Sequence, residues 1–156
     1  MSRVEARLRQ AGLVLPDPPA PVAIYVPAVT AQGVAYTAGQ LPLTGGELAG
    51  AGKVGEGPGL VTPTEANRLA ALCALNAIAA LKSVLGDLDR VRQVLKVVGY
   101  VASDPGFVGQ PTVLNGASEV FGVAFGDAGR HARSAVGVAV LPLDAPVEVE
   151  VTVAHD

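Results

Sequence analysis

The chain has 156 residues, half of them hydrophobic and only 16% charged, with 19 glycines and a formal net charge of −3. That length suits one domain around one core, and a charged fraction well below the usual ~25% leaves too little polar surface to cover it as a monomer. No run reaches the ~18 consecutive apolar residues of a spanning helix, so the surplus is expected in a subunit interface rather than a membrane. The single cysteine, Cys73, excludes an internal disulfide, and the absence of Cys/His clusters argues against structural zinc. The N-terminus lacks the apolar stretch of a signal peptide. The acidic balance offers no general field for phosphate backbones. A cytoplasmic oligomer without membrane or nucleic-acid partners is expected.

Residues 2–11 read as an amphipathic helix, with Val4, Leu8 and Ala11 at helical spacing. Leu15 to Pro21 carries four prolines and is an extended connector. Val22–Val29 and Val34–Gln40 read as strands of a hairpin, with Thr30 to Gly33 as the turn. Residues 43–60 are glycine-rich and predict a long mobile loop bordering a site. Its Gly50–Gly55 matches G-x-G-x-x-G, but no helix opens inside it and no acid follows at the required distance, so a loop is favoured over a phosphate cradle. Thr62-Pro63-Thr64-Glu65 is a helix start with a capping box, and the helix should end at Gly86. Cys73 falls on its small-residue stripe and reads as core rather than nucleophile.

Val91–Ala102 predicts a buried central strand. Ser103-Asp104-Pro105 predicts the cap of a second helical region reaching Phe125, with a break or restart at 109–111. Ser134–Leu141 and Val147–Val153 predict two further strands joined through residues 142–146. The expected architecture is α+β, a single mixed sheet with two helices on one face. Residues 1–21 form an N-terminal helix and connector, and residues 22–156 the main domain.

Alternation around Arg133 places the valines on one strand face and Arg133, Ala135, Gly137 and Ala139 on the other. The valine face is expected to meet the helices, leaving Arg133 on the bare side. In the last strand Val147, Val149, Val151 and Val153 face the core, with Glu148, Glu150 and Thr152 opposite. The glutamates mark either a solvated face or a face awaiting cover. Arg133 is either one half of a surface ion pair or a planar clamp for a carboxylate. His131 reads as a solvated strand-end residue or a neighbour of that clamp. Tyr25, inside the first expected strand, is core or ligand contact. Asn115 either caps a helix restart or presents its amide to a ligand.

Three segments carry a resemblance: Ala38-Gly39-Gln40-Leu41-Pro42, Asn115 to Phe121, and Arg133-Ser134-Ala135-Val136 with Leu141-Pro142 and Val147-Glu148-Val149-Glu150. In this order they resemble the Rid/YjgF family, also called L-PSP endoribonuclease, over nearly the whole chain after residue 20. The resemblance implies a chorismate-mutase-like fold and a homotrimer whose bare sheet faces form a barrel with clefts between subunits. It implies hydrolysis of reactive enamine and imine intermediates of the 2-aminoacrylate type to 2-oxo acids and ammonia, without metal or organic cofactor. By position, Arg133 matches the carboxylate-binding arginine and Glu148 the water-orienting glutamate, while Tyr25, Gly39 and Asn115 match cleft-lining positions. Ala38 stands where many members have serine, His131 where proline or a small residue is usual, and residues 1–21 are additional. A non-catalytic trimer binding a small carboxylate is the alternative. A ribonuclease reading lacks a histidine pair, since His131 and His155 are the only histidines. The last two strands are expected to run antiparallel after the reversal at 142–146, which sets Arg133 and Glu148 at opposite ends, about seven residues or roughly 23 Å apart in one chain at ~3.3 Å per residue. Glu148 would then join Arg133 only from a neighbouring subunit.

Overall fold

The computed structural model describes residues 1–18, 20 and 24–156. Ser2 and Glu5 close a capping box that starts helix α1 (Arg3–Gln10). The Asp89 carboxylate accepts the backbone N–H groups of Arg3 and Val4 at 3.0 and 3.1 Å, satisfying two otherwise unpaired donors of the first turn. Those bonds hold the Asp89 carboxyl below the usual range. Val4 and Leu8 join the same hydrophobic cluster as the rest of the chain, so α1 packs as part of the domain.

The hairpin is β1 (Ala28–Ala31) and β2 (Val34–Thr37). Its turn is Gln32-Gly33, both at positive φ (51° and 77°), the two-residue geometry that matches strand twist. The expected four-residue turn is therefore two residues shorter. The start expected at Val22 lies outside the described residues, and residues 24–27 precede the strand rather than extend it.

The glycine-rich segment is not the mobile loop its composition predicts. It opens with a small hairpin, β3 (Leu43–Thr44) and β4 (Glu47–Leu48). Val54, fully buried, donates its N–H to the Ala102 carbonyl and accepts from Asp104 N–H. These bonds tie the segment to the end of the central strand.

Helix α2 (Pro63–Leu85) begins at Thr62, whose hydroxyl accepts from Glu65 N–H, and ends at Gly86 with φ 74°. The reciprocal half of its capping box is absent, because the Glu65 carboxylate pairs with Arg68 instead. By length and composition α2 could cross a membrane, but 61% of its most apolar window is buried within the protein, as in a core helix. Cys73 is fully buried, donates weakly to the Val147 carbonyl, and has its thiol pushed up by desolvation, consistent with a core role.

Strand β5 (Val91–Ala102) follows, then helix α3 (Gln110–Phe125). Helix α3 begins at the restart expected at 109–111, with Pro111 in its first turn, whereas residues 103–109 are turn and irregular chain and not the helical region expected to open at 103–105. Strand β6 spans Ala132–Val138 and β7 spans Val147–His155. The five-stranded sheet runs β1-β2-β7-β5-β6; β5 and β6 pair parallel and the other neighbours antiparallel. Among the described residues this is an α+β fold with a mixed sheet and the three expected α-helices, plus the separate β3–β4 hairpin. Gly116 lets α3 approach α2 closely, and Gly99 makes room on β5 for Leu114 of α3.

Candidate functional site

Register fixes which face each candidate occupies. Arg133 is level with Val97 on β5, which is level with Val151 on β7. Both valines are buried under the helices, so Arg133 lies on the helix side. Ala135 packs against the core from that side, while Val136 is 42% exposed on the bare side. The expected facing of β6 is therefore reversed. At this edge strand small residues mark where α3 comes close, and the valines lie on the face the helices leave open. Glu148, level with Tyr100 and Val136, is on that open face as expected.

The strand order also corrects the expected separation. Strands β6 and β7 do not pair; β5 lies between them. Arg133 and Glu148 are offset by three residues across two strand spacings, or about 14 Å between Cα atoms from standard sheet dimensions. They also occupy opposite faces. One chain does not bring them to one small molecule.

Instead, two partial sites are built. In the first, Gln40 and Val149 exchange both backbone bonds, at 2.8 and 3.0 Å, which lays the neighbouring Gly39 against the Glu148 side chain. A Cβ at Gly39 would overlap the Glu148 carboxylate. Tyr25, Pro27, Gly39, Leu41, Pro142 and Glu148 are among the residues lining a cavity of about 230 Å³. Tyr25 is 62% exposed there, ahead of β1 rather than inside a strand, and is a wall residue, not core. Burial, and secondly the charge of Glu150 on the same face, hold the Glu148 carboxyl above its ordinary value.

The second partial site is Arg133 of β6, set against α3. Its Nη1 donates to Asn115 Oδ1 at 2.9 Å and Ser118 Oγ at 3.1 Å, and its Nη2 donates to the Pro111 carbonyl at 3.2 Å. Pro111, Asn115 and Ser118 are four and three residues apart, one stripe of the helix. A guanidinium has five N–H donors. Among the described residues three are engaged, leaving Nε–H and one Nη2–H for a ligand. Asn115 thus orients the arginine. Ser118 was not anticipated, although its spacing from Asn115 was readable. His131 is not a solvated strand-end residue: Nε2 meets Ser118 Oγ at 2.9 Å and Nδ1 meets the Gly129 carbonyl at 2.6 Å. Among the described residues no group of three or more His, Cys, Asp or Glu could hold a metal ion.

The sequence model of the family described as "YjgF/chorismate_mutase-like, putative endoribonuclease" matches residues 5–153. The chain belongs to the YjgF family. The match takes in most of α1 as well as the sheet. Protein TCP17 of Trypanosoma cruzi is 41% identical over 152 residues, covering 97% of this chain and 93% of that protein. A crystal structure of a protein of unknown function from Agrobacterium tumefaciens is 42% identical, covers 98% of this chain and 92% of that one, and superposes with a TM-score of 0.89. A "putative endoribonuclease" structure from Shewanella oneidensis is 33% identical, with coverage of 97% and 98% and a TM-score of 0.90.

Proposed function

We propose that this YjgF-family chain hydrolyses small 2-imino acids, including tautomers of 2-aminoacrylate, to 2-oxo acids and ammonia in a cleft completed by a second copy, within a homotrimer. The observation that carries the reading is the split of the candidate residues. Arg133, held by Asn115 and Ser118, presents on one side of the sheet two N–H groups that are unengaged among the described residues. Glu148, Gly39 and Tyr25 form a cavity wall on the other. Each is half of what a carboxylate-bearing imine needs. Val29, Tyr36 and Val136, 53%, 49% and 42% exposed, add an apolar face for that second copy.

In the proposed reaction the two free donors of Arg133 bind the substrate carboxylate. Glu148 of the neighbouring copy accepts a proton from water as the oxygen attacks the imine carbon, and the C=N π electrons move to nitrogen. The resulting carbinolamine takes the proton back on nitrogen. Glu148 then moves the hydroxyl proton to nitrogen as the C–N bond breaks and the oxygen lone pair closes the new C=O, releasing ammonia and the 2-oxo acid. A carboxyl held above its ordinary range is a better base for this step. An imine is already electrophilic, so positioning supplies most of the acceleration. The histidines are committed elsewhere, His131 as above and His155 to Thr30 and the Asp156 carbonyl, and they do not form an acid–base pair for RNA cleavage.

Imines generated from several amino acids, with semicarbazide trapping of what escapes hydrolysis, test the proposal. The wild type should suppress trapping and Arg133→Ala should not. Binding of small 2-oxo acids without any suppression would convert the reading to a carboxylate-binding protein, for which the missing hydroxyl at Ala38 leaves room.

A further inference from the structure

The Arg133 side chain is organised by a chain of bonds that continues past its direct partners. The Gly129 carbonyl only accepts, so the 2.6 Å contact places a hydrogen on His131 Nδ1. In the neutral ring Nε2 is then an acceptor, and at 2.9 Å it takes the Ser118 hydroxyl hydrogen. With its hydrogen committed, Ser118 Oγ presents lone pairs to Arg133 Nη1, 3.1 Å away. The ring is seated edge-on against Phe121, with centroids 6.0 Å apart and an interplanar angle of 79°.

We infer that Ser118 and His131 are positioning residues for Arg133, fixing the serine hydroxyl as an acceptor so that both Nη1 hydrogens are occupied and the guanidinium offers ligands only Nε–H and one Nη2–H. The inference rests on the reading of Arg133 as a carboxylate site. Its content is geometric. A hydroxyl in an exposed helix turn rotates freely and can bond the preceding turn's carbonyl instead. The imidazole removes that freedom. The consequence is selective affinity for a planar carboxylate approaching from one direction, set by two residues that do not touch it.

The experiment uses the full-length protein at about pH 8 and 2-oxobutyrate as the probe. Nitrogen-15 NMR of the imidazole should show His131 protonated on Nδ1 and bare on Nε2; the opposite tautomer overturns the inference. Calorimetry should show affinity lowered about 5–10-fold in Ser118→Ala and His131→Phe, the latter keeping the ring packing on Phe121. Ser118→Thr and His131→Gln, which restore a hydroxyl and an acceptor, should recover to within about 2-fold. In turnover the loss should appear in KM, with kcat nearly unchanged. If Arg133→Ala abolishes binding while Ser118→Ala and His131→Phe bind normally, the inference alone falls. If Arg133→Ala binds as well as wild type, the carboxylate reading falls and takes the inference with it.

Discussion

Gly39→Ala separates the proposed chemistry from folding. Gly39 has negative φ, so alanine suits its backbone. A Cβ there would overlap Glu148 Oε1 and lie 2.8 Å from Cδ and 3.1 Å from Cγ. Carbon atoms in contact rest at about 3.5–4.0 Å, so the carboxyl must swing away by about 1 Å. The obstacle is the end of a flexible side chain, which makes the structural cost small. Stability should stay within about 1 kcal/mol of wild type, helped by the lower unfolded-state entropy of alanine. A catalytic group misplaced by about 1 Å loses on the order of 100-fold in rate. Trapped-imine turnover should therefore fall about 100-fold in kcat/KM while thermal unfolding is nearly unchanged. The double variant Gly39→Ala, Glu148→Ala should be no worse than Glu148→Ala alone, because both changes act on one carboxylate. A folded Gly39→Ala protein with turnover within about threefold of wild type would refute the role given to Glu148.

Gly116→Ala should do the opposite. Its Cβ would overlap the Asn67 carbonyl oxygen and lie 2.9 Å from that carbonyl carbon, in the backbone of α2. The expected cost is about 1–3 kcal/mol, read as a lowered melting temperature. Glu148→Gln should stabilise the folded protein near neutrality. The folded carboxyl is raised above its ordinary 4.5, so the folded state binds the proton more tightly than the unfolded one. Its stability is greatest below that value and declines as pH rises through the folded pKa. Urea unfolding should show the glutamine variant ahead at about pH 7 and level with wild type below about pH 4; a reversed order contradicts the assignment. Arg133→Lys should lose about tenfold or more in affinity for small carboxylates by calorimetry, because one ammonium cannot supply two parallel donors.

The elements legible in the sequence were those with local chemical punctuation. Thr62-Pro63 and Gly86 bracket α2 at the expected residues, and the β-branched run from Val91 to Ala102 is one strand. Two features escaped for physical reasons. Facing on β6 was inverted because apolar character was equated with contact to the helices. At this sheet edge Ala135 and Gly137 admit the helix side, while Val136 stays open. Strand order escaped because consecutive strands usually pair. Here β7 returns past β5 to lie beside β2, so β6 pairs through the α3 crossover instead. The candidate residues themselves were readable through family resemblance. Their division into two partial sites needed the register. The spacing of Ser118 from Asn115 was readable, but its bond to His131 was not, because His131 lies beyond the end of the helix, where helical spacing says nothing.

The central claim is that each site combines Arg133 of one copy with Glu148 of another. Co-refolding inactive Arg133→Ala with inactive Glu148→Ala tests it directly. In a cyclic assembly mixed at random, one interface in about four pairs an intact arginine with an intact glutamate. Imine turnover should return to about a quarter of the wild-type value per site, in assemblies shown by native mass spectrometry to contain both chains. Mixed assemblies as inactive as either parent would contradict the shared site.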